Sequence, residues 1–199
     1  MMSAREDAPL VVGVTGASGG PYAVRLIRAL VDLQVPAHVI ISSHGWRLLR
    51  LETRIDGEAA LRGAVPGDWS RLRLHANDDR GAEPASGSAP SRGMVVCPCS
   101  MGTLAAIAQG HSRSLVERAA DVTLKERRPL VLVPRETPLS EIHLRNMLEV
   151  TRAGATVMPA APGFYGGPEV IDDLVDFIVA RVLDHLGIAH DIGPRWTGE

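Results

Sequence analysis

The feature that most constrains this chain is a regular exchange between short, continuously apolar runs and longer segments with a helical period. The apolar runs cover residues 10–15, 37–41, 94–97, 130–133 and 155–158. Unbroken apolarity over four to six residues suits strands buried on both faces. Between them, residues 21–33 place Ala23, Leu26, Ile27 and Leu30 on one face and Arg25, Arg28 and Asp32 on another, which is the 3.6-residue period. Residues 138–153 read as a helix with Thr137 as N-cap, Pro138 in its first turn and Gly154 closing it. Residues 168–186 repeat that arrangement, from Pro168 to a stop at Gly187, and 115–127 form a further helical segment. Strand and helix in alternation require a parallel sheet covered on both sides, so the expected fold class is α/β, a three-layer, doubly wound parallel sheet of the flavodoxin-like or Rossmann-like kind.

The chain has 199 residues and a mass of 21.2 kDa, enough for one substantial core and too little for two typical domains. A single domain over 1–199 is expected, with flexible ends at 1–9 and 197–199. Twenty-one Lys and Arg against 23 Asp and Glu give a net charge of -2. That balance supplies no basic stripe for nucleic acid and no polybasic patch for a membrane surface. The opening MMSAREDAPL lacks the apolar core of a signal peptide, and no run approaches the ~18 apolar residues of a membrane span. A cytoplasmic protein is expected. Cys97 and Cys99 flank Pro98, too close for an ordinary disulfide and not a C-x-x-C pair, so they read as reduced thiols near a strand end. The seven histidines are dispersed without ligand-pair spacing, so no metal site is expected.

Ligands of open parallel sheets bind outside the carboxyl ends of the strands. The residues there read TGASGG, SSHG, PCSMGT, VPRET and PAAPGFY. In the first, Gly16, Ala17 and Ser18 lead into a helix whose free backbone N–H groups suit a phosphate. The pattern is not G-x-G-x-x-G, which removes the main support for a dinucleotide site. Read as G-x-S-x-G it would be a nucleophile elbow, but Ser18 follows the first strand, with no earlier strand to supply an oxyanion loop. In the third, Ser100 is placed to cap a small-residue helix, with Thr103 offering a second hydroxyl. The fourth sets Arg135 and Glu136 between a strand and a helix, where charges either bind a ligand or cap the helix.

Three further features concern charge and composition. Arg181 follows Val170, Leu174, Phe177 and Ile178 on an apolar helical stripe, where a guanidinium needs either a structural ion pair or a bound phosphate. Arg118 and Lys125 lie seven apart on one helical face, which by default is a solvated face. Residues 78–93, DDRGAEPASGSAPSRG, form a long segment without periodicity, either site-forming or disordered.

Taken together, "CPCSMGTLAAIAQG", "ERAADVTLKERRPLVLVPRETPL", "IHLRNMLEVTRAGA", "PAAPGFY", "IDDLVDFIVARVLDHLGI" and the closing "RW" resemble the flavin prenyltransferases of the UbiX type. With TGASG, the resemblance spans Leu10 to Trp196, and the LKERRPLVLVPRETP block is its most specific part. It implies a flavodoxin-like subunit of a homododecamer that binds FMN and transfers a dimethylallyl group from dimethylallyl phosphate to N5 and then C6 of the reduced flavin. The product, prenylated FMN, serves a partner decarboxylase of the UbiD type, and no metal is needed. By the same resemblance Gly16, Ala17, Ser18, Ser42, Ser100, Met101, Gly102, Thr103 and Arg135 match FMN contacts. Tyr165, Arg181 and Lys125 match contacts to the donor phosphate, joined by Ser18 and Arg118. Glu136 matches the acidic residue that handles protons. Sites in the family are shared between subunits.

The chain departs from the common family pattern in three places: GASGGPYA where many members have GASGA-x-YG, FYGGP for FYHRP, and Gly102 for a Lys. The family's ASGS is kept at Ala85 to Ser88, which points to a site-forming role for that segment. The alternative within the superfamily is a flavin-dependent cysteine decarboxylase, but its P-A-S-A-N-T turn and Met-Asn segment are absent here. A non-catalytic flavin carrier is a third possibility, against which stands the joint presence of Lys125, Arg135, Glu136, Tyr165 and Arg181.

Overall fold

The computed structural model of the protein describes residues 7–193. Residues 1–6, Trp196 and the expected flexible end at 197–199 lie outside the described residues. Six parallel strands form one sheet: β1 Leu10–Val14, β2 Ala37–Ile41, β3 Leu72–His75, β4 Gly93–Cys99, β5 Leu130–Pro134 and β6 Thr156–Val157. Their order is β3-β2-β1-β4-β5-β6, the doubly wound Rossmann order, and the direction of winding switches between β1 and β4. Seven α-helices are described: α1 Gly20–Asp32, α2 Ser43–Thr53, α3 Glu58–Ala64, α4 Met101–Ala108, α5 Leu115–Lys125, α6 Glu141–Arg152 and α7 Ile171–His185.

Alternation along the strands sorts the core into two layers. Leu10, Val12 and Val14 of β1 pack with Leu26, Ile27 and Leu30 of α1, Leu49 of α2 and Ile178 and Val182 of α7. Val11, Met94, Val96 and Leu132 point the other way, onto Leu104 of α4, Val116 and Ala120 of α5 and Val150 of α6. Central strands buried on both faces explain why their sequences are apolar without alternation. Each fully buried aliphatic side chain in these layers stabilises the fold by about 1.5–3 kcal/mol. Arg25 Nε reaches Asp176 Oδ1 at 2.5 Å and ties α1 to α7.

The elements differ from the sequence expectation where local signals are weak. β3 is an edge strand with only Leu72 buried in LRLH, so it has no apolar run to betray it. Helices α2 and α3 bury just Gly45 and Leu49, and Leu61, and so were not anticipated either. Helix α6 starts at Glu141 rather than at 138: Ser140, not Thr137, is the N-cap, and Ser140 and His143 form a reciprocal capping box. Thr137–Pro138 is a cis peptide outside the helix. Helix α7 starts at Ile171, with Val170 as N-cap and Asp173 accepting the Glu169 and Val170 N–H groups. Helix α5 stops at Lys125, and Arg127 beyond it takes a left-handed φ of 53°. Among the described residues, no helix is long and apolar enough to cross a membrane.

Candidate active site

The loops after β1, β2, β4 and β5 meet outside the carboxyl ends of their strands. Thr15, 3% exposed at the end of β1, joins two of them. Its hydroxyl donates to the Pro98 carbonyl at 3.1 Å and accepts the Ser100 N–H at 2.8 Å. Ser100 then caps α4: its Oγ accepts the Thr103 N–H at 3.2 Å and lies 3.0 Å from Thr103 Oγ1. The loop after β2 closes in by backbone contact. Ser42 N–H donates to Val14 O at 3.0 Å and Ser42 Oγ caps α2 through the Gly45 N–H. A Cβ on Gly45 would stand 2.6 Å from the Val14 oxygen, and one on Gly16 would stand 2.5 Å from His44 Cβ. Glycine is required at both positions by space, not by φ.

Ser18, Gly19 and Gly20 are held from two sides. Arg135, just after β5, donates Nε–H to the Ser18 carbonyl at 3.1 Å. Glu52, on the last turn of α2, accepts the Gly19 and Gly20 N–H groups at 2.9 and 2.7 Å on Oε2. Burial pushes the Glu52 carboxyl up, but the hydrogen bonds from Gly19, Gly20 and the Ser18 side chain, with the Arg135 charge, bring it below the ordinary glutamate value. The amino end of α1 was expected to bind a phosphate. Instead it is occupied by a carboxylate of the chain itself, which satisfies the same orphan donors and the same dipole. Glu52 is the residue at this turn that sequence reasoning missed. Nothing in RLLRLET distinguishes it from a solvated helix face; only the tertiary fold brings it to Gly19.

Glu136 lies beside this group, its Oε1 accepting the Thr137 N–H at 3.1 Å. The exposed Tyr165 meets Phe177 of α7 edge-on, ring centroids 5.8 Å apart. Gly167, beside it, has a φ of 63°, a left-handed conformation that favours glycine. Arg181 follows one turn after Phe177 but is not on the buried stripe. That stripe is Val175, Ile178, Val179, Val182 and Leu183, and Arg181, rotated off it, is half-exposed and pairs with Asp184 at 3.1 Å. No burial cost therefore forces an anion onto it.

Arg118 and Lys125 form a second group, on α5. Arg118 donates Nε–H to the Ala85 carbonyl at 3.2 Å and pairs with Asp121 at 2.8 Å. Lys125 pairs with Glu126 next to Gly87, and Arg128 donates to the Gly87 carbonyl at 2.8 Å. The ASGS segment is thus ordered by α5 and its C-terminal extension. Cys97 and Cys99 are both free and buried, one in each core layer. Burial pushes the Cys97 thiol up to about 12 and raises Cys99 further, so neither is a nucleophile.

A doubly wound sheet whose switch-point loops present hydroxyls, a capped helix end and an arginine is the architecture of proteins that bind nucleotide-like ligands outside the strand ends. The Flavoprotein family model matches residues 2–183. The flavin prenyltransferase UbiX of Halalkalibacterium halodurans is 47% identical over 191 residues, 94% of this chain and 93% of the relative. Two solved structures share the fold at 44% identity. One, AnUbiX (PadA1) in complex with FMN and dimethylallyl pyrophosphate, has a TM-score of 0.88 over 96% of this chain and 98% of that one. The other, a dodecameric FMN-dependent UbiX-like decarboxylase from Escherichia coli O157:H7, has a TM-score of 0.87 over 96% and 100%. The chain belongs to the Flavoprotein family and, within it, to the UbiX-type flavin prenyltransferases. The cysteine decarboxylase TvaF, at 18% identity and a TM-score of 0.61, shares the fold alone.

Proposed function

We propose that this protein is a metal-independent flavin prenyltransferase that binds FMN at the β1, β2, β4 and β5 loop ends and moves a dimethylallyl group from dimethylallyl phosphate to N5 and C6 of the reduced flavin. What supports this reading is that the loops carrying Ser18, Ser42, Ser100, Thr103 and Arg135 follow β1, β2, β4 and β5 at the switch point and are tied together there by hydrogen bonds, in a chain 47% identical to a flavin prenyltransferase. The residues fit FMN. The Ser100 and Thr103 hydroxyls and the α4 amino end suit polar edges of the ligand, with Met101 and Gly102 contributing backbone only. Arg135 uses one of its five donors on Ser18, leaving the others for the flavin. Gly16 and Ala17 offer backbone at close approach. Reduced FMN, when bound, supplies the electron-rich centre that accepts the prenyl carbon.

The chain's own residues handle the leaving phosphate and the protons. Allylic C–O cleavage sends the electron pair out with the phosphate, so cations on its oxygens lower the barrier. Tyr165 and Arg181 are assigned to the donor phosphate, and Glu136 to proton transfer as the ring closes. Lys125 and Arg118, with Ser18, complete the phosphate site; because both cations lie against the 85–88 segment, they serve the crevice of a neighbouring copy. Support for such sharing comes from the exposed Leu144 and Leu148, one turn apart on α6, apolar surface that an oligomer would cover, and from the dodecameric E. coli relative. The reading takes 1–199 as one flavoprotein domain acting in the cytoplasm as a homododecamer. Its product, prenylated FMN, goes to a UbiD-type decarboxylase.

The test supplies that decarboxylase. The protein-free filtrate of a reaction with reduced FMN and dimethylallyl phosphate should activate a UbiD-type apo-decarboxylase produced without its cofactor. A filtrate that fails to activate it, while one from the H. halodurans relative succeeds, contradicts the reading.

A further inference from the structure

Strand β2 carries one polar side chain in the run AHVII. His38 is 4% exposed, and its Nδ1 lies 2.8 Å from Nε2 of His75 on the edge strand β3, the two rings tilted at 52°. Its other ring nitrogen, Nε2, is enclosed and makes no hydrogen bond among the described residues; it faces Glu83 Oε2 at 3.7 Å. Arg73 Nη1 reaches the same oxygen at 4.0 Å. Beside this gap is a cavity of about 10 Å³, lined by His38, Glu83, Ser86, Ser91, Thr123 and Arg128 among others, large enough for one water. With Nδ1 engaged by His75, the trio does not converge on a point as metal ligands would.

Chemistry selects one tautomer. A neutral histidine carries its proton on one ring nitrogen. With a carboxylate facing Nε2, that is where the proton belongs, and Nδ1 then accepts from His75 Nε2–H. Donors therefore run in one direction, from His75 to His38 to Glu83. Glu83 opens the 3-10 turn Glu83–Ala85, and at its far end the Ala85 carbonyl receives the Arg118 guanidinium.

We propose that His38 and Glu83 are positioning residues for Arg118: the polar line from β3 through β2, a His75–His38 hydrogen bond followed by a 3.7 Å electrostatic contact from His38 to Glu83, fixes the 83–88 segment, and the Ala85 carbonyl fixes the guanidinium. The proposal rests on the reading of Arg118 as a cation of the donor phosphate. It makes the site acid-sensitive. His38 is held below the ordinary histidine value by burial first and then by His75 and Arg73, against the opposing pull of Glu83; His75 is lowered too, by burial, against Asp79 and Glu83. Arg128 stands in the cavity wall. For a histidine with a lowered folded value, the contribution is present above its ordinary range and is lost as pH falls through the folded value. Protonated His38 would set one N–H against the N–H of His75 and break the line.

Glu83→Gln keeps shape and removes charge at a half-exposed position, so folding is not at risk. Neutron diffraction of the wild type should place a deuteron on His38 Nε2. Hydrogen exchange of residues 83–88 should be about tenfold faster in Glu83→Gln, because the attraction of a close carboxylate for His38 and Arg73 is lost. Turnover should fall in Glu83→Gln, while Glu83→Gln/Arg118→Ala should be no slower than Arg118→Ala. A deuteron on Nδ1, or unchanged exchange at 83–88, would overturn the proposal. Full turnover in Arg118→Ala would instead remove Arg118 from the reaction, and the exchange result would still decide the line.

Discussion

Glu52 Oε2 lies 2.7 Å from the Gly20 backbone nitrogen, so the last turn of α2 neutralises the first turn of α1. Glu52→Gln should remove about 1 kcal/mol of helix-terminus stabilisation, seen as a midpoint roughly 2–4 °C lower at pH 7. The sign with pH is fixed. Because the net effect lowers the Glu52 carboxyl, its contribution is present above the ordinary glutamate value and lost as pH falls through the folded one. Melting curves of wild type and variant should therefore converge at acid pH. Divergence on acidification would rule out an ionised Glu52 at this turn.

The start of α6 distinguishes a local cap from a misleading signal. Ser140→Ala should cost about 1 kcal/mol, because Ser140 Oγ holds the His143 N–H at 3.2 Å. Thr137→Ala should leave the cap untouched. Denaturant midpoints for the two variants check this, and equal losses would place the cap elsewhere.

The two thiols should be silent. Cys97 and Cys99 are buried on opposite faces of the sheet and raised by burial, Cys97 to about 12. Labelling with a thiol reagent at pH 8 should give no modification of folded protein and two groups per chain after denaturation. Rapid labelling of the native state would mean that β4 opens.

Arg135 and Glu136 are adjacent in sequence and differ in partners: Arg135 holds the Ser18 carbonyl, and the Glu136 carboxylate, among the described residues, the neighbouring Thr137 N–H. Arg135→Ala should weaken FMN binding by at least tenfold, the scale of one charge-assisted hydrogen bond. Glu136→Gln should bind FMN normally and stall turnover. Flavin fluorescence titration separates the two, and equal loss of flavin in both variants would make the pair structural.

How far the sequence revealed all this depends on where each residue's constraint comes from. The central strands were legible because burial on both faces leaves apolar residues throughout β1, β4 and β5 and everywhere in β2 but at His38. Edge strand β3 was not, since only Leu72 of LRLH is fully buried. The loop-end residues from Gly16 to Arg135 stood out because ligands of parallel sheets bind outside the carboxyl ends of the strands, and the fold sets their loops there. Glu52 was invisible, since its partners Gly19 and Gly20 are more than thirty positions away and its own helix reads as polar surface. Arg181 was misplaced by a stripe drawn from Val170, which the fold leaves 60% exposed. The buried face runs through Val175, Ile178, Val179 and Val182 instead, and Arg181 lies outside it.

The central claim is that this chain joins a five-carbon unit to FMN. Mass spectrometry of flavin extracted after anaerobic incubation with reduced FMN and dimethylallyl phosphate tests it most directly. The account predicts FMN heavier by one dimethylallyl unit with wild-type protein, and unmodified FMN with Glu136→Gln. Unmodified FMN from the wild type, with both the monophosphate and the diphosphate donor, would contradict it.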